Sequence, residues 1–369
     1  MHVVASISKS CNNKSICFLG GKGGVTMRDL ISRWSKSSGI AFAVVLLVLA
    51  SALFEPSSLG RAALAAVWPF LGVLMVVGVG QQLIIQQRGI DLSAPGYISL
   101  AAILVSHMPN GNNGHLFASI ILAFGVAVIA GTVNAFMVTR VGIMPIVQTL
   151  GMNAVLYGID VAVCHGTPTQ TTTDLFNFMN FHVLGLQMPF VIGIVVIAAL
   201  QFVMKKTIVG RRFEASGANE RAGRAAGLRT NRYQYFAYIG SAMLYTLAGV
   251  MLAGIIQQPS VFQGDAYLLL SVAAVVLGGT SLLGGSGSPV ATAFGAAFLI
   301  QLQGFVLATG ATAAWQDIVQ AIALAIGISV YGLRSSGGIA KVMRRLKPVK
   351  FGETPSMSDA NSLSVGPSS

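Results

Sequence analysis

Long apolar runs alternate with short polar stretches along most of the chain. A run of about 20 apolar residues is long enough to cross a bilayer as an α-helix. The runs therefore predict membrane spans at 39–54, 64–87, 92–108, 116–139, 141–163, 184–204, 233–256, 267–283, 290–309 and 313–333. The first, third and eighth runs are short, which predicts tilted or broken helices at those places.

The composition supports a membrane protein. Of 369 residues, 54% are hydrophobic and 9% are charged, whereas a soluble domain carries about 25% charged residues. The predicted fold class is all-α, a polytopic membrane protein with about ten transmembrane helices. The net charge of +12 does not indicate nucleic-acid binding, because no soluble domain is large enough to gather the basic residues on one face.

The distribution of Lys and Arg predicts the orientation, since cytoplasmic loops carry an excess of basic residues. With the N-terminus inside and ten alternating spans, 22 of the 23 basic residues lie inside and only Arg61 lies outside. Both termini are therefore predicted to be cytoplasmic. A transmembrane domain at 37–333 is predicted to lie between a basic, disordered N-terminal tail at 1–36 and a basic, then disordered C-terminal tail at 334–369. Met27 is a second candidate start residue.

The sequence offers no set of residues for catalysis, a metal or a cofactor. The glycine-rich segment 20–26 lacks the Lys-Ser/Thr ending and the preceding strand of a phosphate-binding loop. The histidines near the predicted outer face match no metal-ligand spacing. Paired carboxylates and Ser-His-Asp or HExxH arrangements do not occur. We therefore expect no enzyme activity and no bound cofactor in this chain.

Polar residues within or beside the apolar runs are candidates for a translocation route. They are Gln81, Gln82, Gln86, Asp91, Ser93, Asn134 and Asn153. Such groups either form hydrogen bonds between helices or line a path for a polar solute, and the sequence leaves both alternatives open. The glutamines of the second span are predicted to share one helix face. No acidic residue falls at mid-membrane, which argues against coupling to an ion gradient.

A charged segment at 205–232 interrupts the apolar pattern and is predicted to form a cytoplasmic loop. Asn219 is a suitable helix N-cap, Glu220 suits the positive end of the helix, and Gly227 is a suitable terminator. A short helix is therefore predicted at 220–226. It is either a linker on the membrane surface or a docking element for a cytoplasmic partner.

Three blocks of the sequence resemble the permeases of ribose-type ATP-binding-cassette importers. The blocks are GIDLSAPGYISLAA at 89–102, TIVGRRFEASGANERAGRAAGLRTNRYQYFAY at 207–238 and SVAAVVLGGTSLLGGSGSPVATAFGAAFL at 271–299. The resemblance implies a permease of the bacterial inner membrane with no catalytic role. Its implied partners are a second permease copy, cytoplasmic ATPase subunits, a periplasmic binding protein and a small sugar.

The resemblance also implies roles for particular residues. The segment that couples to the ATPase includes Glu214, Gly217, Asn219, Glu220, Arg221, Ala222, Arg224 and Gly227. The glycine-rich block includes Gly278, Gly279, Thr280, Gly284, Gly285 and Gly287.

The sequence departs from the family pattern at a few positions. Gln87 and Arg88 stand where small residues are usual, Ala94 and Pro95 replace a common Val-Gly pair, and Ala218 and Gly223 differ in the coupling block. These departures bear on the substrate, for which another small polar solute such as a nucleoside is the alternative to a sugar. A secondary carrier, a membrane enzyme and a structural scaffold are the competing functions.

Overall fold

The computed structural model describes residues 27–325 apart from 168, 313, 317 and 324. These residues form a mainly helical protein. The α-helices are α1 (Met27–Phe54), α2 (Arg61–Gln86), α3 (Ala94–His107), α4 (Asn113–Phe136), α5 (Pro145–Cys164), α6 (Thr173–Asn180), α7 (Met188–Lys206), α8 (Ile208–Ala218), α9 (Glu220–Ala225), α10 (Thr230–Ile256), α11 (Ala266–Leu277) and α12 (Pro289–Ala308). The remaining elements are a 3₁₀ turn (Pro56–Leu59), a π-helical turn (Met137–Val141) and the strands β1 (His182–Val183) and β2 (Leu186–Gln187).

Within the described part of the chain, six helices are long and apolar enough to cross a membrane. They are α2, α4 with its π turn, α5, α7, α10 and α12. Three shorter apolar helices are Gly39–Phe54, Ala94–His107 and Ala266–Leu277, at the places where short or broken spans were predicted. The tenth predicted span, 313–333, lies largely outside the described residues. A mainly helical protein with six candidate membrane spans is confirmed, while the count of ten spans stays a prediction.

Three helix boundaries differ from the sequence prediction: the starts of α1 and α7, and the end of α11. Helix α1 begins at Met27, so it includes the last ten residues of the predicted disordered tail. Helix α7 begins at Met188 because β1 and β2 pair through a turn in which Gly185 has φ +81°.

Helix α11 ends at Leu277, six residues before the predicted end of its span at 283. The amides of Gly279 and Thr280 donate to Val276 O (2.9 Å) and Val275 O (3.2 Å), and Gly279 has φ +75°. This pattern is a Schellman motif, which closes a helix with a left-handed residue after its last turn. Residues 278–288 form a loop instead of the end of a span.

Helices α2 and α10 lie at the centre of the fold and pack against one another; α2 also contacts α7, α11 and α12, and α10 contacts α3 and α4. Glycines allow two of these helix crossings to be close. A Cβ on Gly249 would lie 2.3 Å from Ile98 O, and one on Gly72 would lie 2.2 Å from Pro189 O. Small residues at such crossings are typical of helix packing in membranes.

The connecting segments gather at two ends of the helix bundle. At one end, the residues after α2 contact α8 and the loop 278–288. At the other, His107 bonds to Thr169 and the amide of Thr171 donates to Gln257 O at 2.7 Å. This grouping agrees with the predicted alternation of the spans. Which end faces the cytoplasm stays a prediction.

Candidate functional site

The predicted helix of the charged segment is present as α9 (Glu220–Ala225). The Asn219 side chain accepts a hydrogen bond from the Ala222 amide at 3.1 Å, which is the predicted N-cap. Gly227 has φ +80° and donates to Arg224 O at 3.0 Å, so it ends the helix as predicted. Glu220 and Arg224 form an ion pair one turn apart. Because Arg221 and Ala222 are exposed on this helix, α9 offers a free surface at the edge of the protein.

A second helix in this segment, α8, was not predicted. The Thr207 hydroxyl caps it by accepting from the Gly210 amide at 3.2 Å, and Glu214 pairs with Lys205. The sequence signal was the Thr207 cap followed by residues of moderate helix propensity. Unlike α9, α8 packs partly against the membrane helices, burying Phe213, Ser216 and Gly217.

The end of α2, the end of α8 and the loop 278–288 meet at one place, which we call the junction. The Gly285 amide donates to Gln86 O at 2.9 Å, and Gln87 Nε2 donates to Phe213 O at 2.9 Å. Arg88 Nε donates to Gly217 O at 2.8 Å, and the Arg88 Nη2 donates to Ala218 O. The fold thus brings together the residues just before the first sequence block and parts of the other two blocks, which lie far apart in the chain.

Glycine is required at the junction for space and for backbone conformation. A Cβ on Gly217 would lie 1.9 Å from Gln86 O, and one on Gly278 would lie 2.8 Å from Ala291 C. Gly284 and Gly285 have φ of +87° and +83°, and a Cβ on Gly285 would meet Ala218 at 2.6 Å. The glycine-rich block is therefore a tightly turned loop seated directly on α8.

Helix α2 ends in a Schellman motif with an unusual residue. The amides of Arg88 and Gly89 donate to Ile85 O (2.9 Å) and Ile84 O (3.1 Å), and Arg88 has φ +67°. Glycine usually occupies this left-handed position, and a side chain there costs about 1–2 kcal/mol. The same motif closes α9 at Gly227 and α11 at Gly279. Arg88 therefore keeps a strained backbone that glycine would relieve.

The predicted route glutamines do not all share one helix face, which corrects that part of the prediction. Gln81 forms a hydrogen bond with the Tyr245 hydroxyl on α10 at 2.8 Å. With the oxygen and nitrogen of its side-chain amide exchanged, Gln81 donates to Asp91 O and accepts from the Asp91 amide, both at 3.2 Å. Gln82 faces α12 and accepts from Thr292 Oγ1 at 2.7 Å. Consecutive residues on a helix point about 100° apart, so neighbours reach different partners.

Gln86 lies one turn beyond Gln82 and faces the loop 278–288. Gly287 lies so close that a Cβ there would be 2.6 Å from Gln86 Nε2 and 2.9 Å from Gln82 Nε2. Four of the buried polar atoms that have no hydrogen-bond partner within the described part of the chain lie in this cluster. They are Gln82 Nε2, both amide atoms of Gln86 and Thr280 Oγ1. Buried polar groups without partners are rare and costly, so this cluster is unusual.

The remaining route residues form buried hydrogen-bonded contacts. Asp91 accepts from the Ser93 amide at 2.8 Å and from its hydroxyl; Asn134 Nδ2 donates to Ser93 Oγ at 3.2 Å. Gln148 Nε2 continues the chain by donating to Asn134 Oδ1 at 3.1 Å. The sequence analysis did not select Gln148.

Asn153 binds elsewhere in the fold. Its Oδ1 accepts from the Gly96 amide at 2.8 Å, near the start of α3. This contact does not join Asn153 to the Asp91–Gln148 chain.

Two cavities lie near these groups. A cavity of about 190 Å³ adjoins the junction and is lined partly by Arg88, Ser216, Gly217 and Glu220. An apolar groove of about 650 Å³ runs between α4 and α5, with Gln148 as its polar lining residue. In the described conformation, the predicted route residues lie inside the protein and do not line the apolar groove.

The comparisons with known proteins agree with this geometry. Residues 65–327 match the family described as "Branched-chain amino acid transport system / permease component". The chain belongs to this permease family. The match covers nine of the predicted spans in part or whole, the charged segment and the glycine-rich loop, so the permease is a multi-pass protein of the inner membrane and a transport component.

Relatives of the permease match it over most of their length. The probable ABC transporter permease protein y4mJ of Sinorhizobium fredii is 30% identical over 83% of this chain and 92% of the relative. The ribose import permease protein RbsC of Escherichia coli is 32% identical over 69% and 81%. The autoinducer 2 import system permease protein LsrC of Yersinia pestis is 28% identical over 78% and 82%. No solved structure matches the chain.

Proposed function

We propose that this permease forms the membrane pathway of an ATP-binding-cassette importer for a monosaccharide. The observation that carries the proposal is the junction, where an exposed capped helix pair is fastened to the end of a central membrane helix. A movement imposed on α8 and α9 from outside the membrane therefore reaches α2 directly. The 32% identity to a ribose import permease over 81% of that relative supports a sugar as substrate.

The proposed partners supply what this chain lacks. Cytoplasmic ATPase subunits would dock on the exposed surface of α9 and hydrolyse ATP. A periplasmic binding protein would deliver the substrate, and a second permease copy would complete the pathway. Both termini and the junction would face the cytoplasm, in agreement with the distribution of basic residues.

The unpartnered amides support a translocation route beside α2. Gln82 and Gln86 lack partners for three amide atoms in the described conformation, and a conformation that opens the loop 278–288 would expose them to water or to sugar hydroxyls. Amides donate and accept hydrogen bonds, which suits an uncharged polyol. Gln81, Asp91, Ser93, Asn134 and Asn153 would then hold the surrounding helices in register.

Another small polar solute is the alternative substrate. The relative that imports autoinducer 2 and the family description both favour a broader range than monosaccharides. The apolar groove and the junction do not select among neutral polar solutes.

Reconstitution tests the proposal. The permease would be placed in proteoliposomes with its ATPase and binding protein, and uptake of labelled ribose, xylose and fructose would be measured with and without ATP. We expect uptake that needs ATP and the binding protein and that survives a protonophore. Uptake driven by a proton or sodium gradient alone would instead identify a secondary carrier.

A further inference from the structure

The side chain of Arg88 reaches from the end of α2 to the end of α8. Arg88 Nε donates to Gly217 O at 2.8 Å, and Nη2 donates to Ala218 O. These carbonyls belong to the last turn of α8, which carries no later helical amides to bind them. A guanidinium at this place satisfies them and faces the negative end of the helix dipole.

Neighbouring groups fix this contact from both sides. Gln87 Nε2 donates to Phe213 O at 2.9 Å, one turn earlier in α8. On the opposite side, a Cβ on Gly284 would lie 2.5 Å from Arg88 Cγ and 2.6 Å from Gly217 O. The side chain of Arg88 therefore passes between α8 and the glycine-rich loop, and it contacts both.

The backbone conformation of Arg88 points to a role for its side chain. Its φ of +67° is the left-handed conformation that Gly227 and Gly279 adopt in the matching motifs of α9 and α11. A non-glycine residue in this region is strained and persists where the surroundings hold it.

We propose that Arg88, assisted by Gln87, is a positioning residue that fastens the coupling segment 208–225 to membrane helix α2. The inference rests on the proposed function, because it assigns the fastening a role in passing ATPase movement to the route. Without the guanidinium, α8 would stay folded, since its own cap and its packing through Phe213 remain. It would no longer move rigidly with α2.

Arg88→Gly is the decisive variant, because glycine relieves the backbone strain and removes only the fastening side chain. Arg88→Lys keeps the charge without the planar fork of donors. Arg140→Ala is the matched control, because Arg140 is an exposed basic residue in the π-helical turn.

The first measurement is amide hydrogen exchange of the assembled transporter, permease with ATPase. We expect Arg88→Gly to speed exchange in 213–225 by about tenfold, as the loss of hydrogen bonds to a charged donor predicts. Amide exchange in α2 should not become faster, since Arg88→Gly relieves the backbone strain at the C-terminal end of this helix. The exchange rate of 213–225 in Arg88→Lys should lie between those of the wild type and Arg88→Gly. The rate in Arg140→Ala should match the wild type. Unchanged exchange at 213–225 in Arg88→Gly would overturn the fastening.

The second measurement is ATP turnover in proteoliposomes with and without the substrate-loaded binding protein. The ratio of stimulated to basal turnover should fall towards one in Arg88→Gly, while the ATPase still copurifies. Faster exchange with a wild-type ratio would overturn the role in coupling. Absence of stimulation in the wild type would count against the proposed function itself, and the exchange measurement would still decide whether Arg88 fastens α8.

Discussion

Gln81 and Gln82 are neighbours in the sequence but have different partners in the fold. Gln81 is satisfied by Tyr245 and the Asp91 backbone, whereas Gln82 and Gln86 retain amide atoms without partners in the described part of the chain. Removing a satisfied buried amide leaves its partners unpaired, but removing an unsatisfied one removes a cost. The glutamines therefore have separable effects on stability and on transport.

Replacing both Gln82 and Gln86 with Leu should abolish most uptake while leaving the permease folded and assembled. Leucine removes three orphan amide atoms but also the acceptor of the Thr292 hydroxyl, so the melting temperature of the detergent-solubilised protein should change little. Uptake into proteoliposomes would fall because the route loses its polar groups. Gln81→Leu is the matched control, with an expected loss of about 1–3 kcal/mol of stability. Normal uptake in the double variant would assign these residues to packing.

The glycines of the junction and the coupling segment should differ in their tolerance of alanine. Gly217→Ala places a Cβ 1.9 Å from a backbone oxygen, and such overpacking costs about 1–3 kcal/mol or more. Gly227→Ala meets no atom within 4 Å but keeps a φ of +80°, which costs about 1 kcal/mol. Gly151→Ala in α5 has open space and no such φ, so we expect no loss.

Thermal unfolding of the three alanine variants measures this order. Gly217→Ala should show the largest fall in melting temperature and Gly151→Ala the smallest. Equal stability of Gly217→Ala and Gly151→Ala would contradict the close contact between α8 and the end of α2.

At the scale of elements, α8 and α9 have different relations to the rest of the protein. Helix α8 buries one side against the membrane helices and the glycine-rich loop, whereas α9 exposes four of its six residues and buries Gly223. Helix α9 is held by its own caps, the Asn219 side chain and Gly227, and by Arg224, which donates to Thr230 Oγ1 at 3.0 Å and to Asn231 Oδ1 at 3.1 Å at the start of α10. A substitution within α9 should therefore affect the binding of a partner to α9 more than the stability of the membrane helices.

Ala222→Pro should yield a permease that inserts normally but loses its ATPase. Proline removes the Ala222 amide, whose hydrogen bond the Asn219 side chain accepts, and the loss of an N-cap bond costs about 0.5–2 kcal/mol. Ala222→Ser keeps this amide and serves as the control. The measurements are copurification with the ATPase and substrate-stimulated ATP turnover. Full stimulation of ATP turnover by substrate in the proline variant would show that α9 acts only as a linker.

At the scale of the whole molecule, the bundle has two opposite loop clusters. The predicted inside segments meet at the junction, and the predicted outside segments meet through contacts such as Thr171 with Gln257. Gly210 and Thr172 lie in these two clusters but are buried, which makes them poor sites for cysteine labelling. Leu184, which is 98% exposed, and the exposed Ala226 are better sites.

Single cysteines at 184 and 226 test the orientation. An impermeant maleimide applied to intact cells should label Leu184→Cys and should label Ala226→Cys only after the membrane is opened. The background variant carries serine in place of Cys11 and Cys17, while Cys164 is fully buried. Labelling of position 226 in intact cells would reverse the proposed orientation.

The sequence by itself determined the features that depend on local chemistry. Apolar run lengths located nine of the helices, and Asn219 and Gly227 located the ends of α9. These signals are local because a helix closes its hydrogen bonds within four residues and a cap acts within three. The charged segment was likewise predicted to lie outside the membrane, because charged side chains are costly within the bilayer.

Only the tertiary structure decided the partners of the polar groups and the place where the end of α2, α8 and the glycine-rich loop meet. Gln87 bonds across 126 residues, Arg88 across 129 and Gln82 across 210. No spacing rule reaches over such distances, so the sequence could place these residues on a helix without choosing the neighbour. The early end of α11 and the burial of α8 depend on the same contacts, because the loop 278–288 turns back to meet α2 and α8.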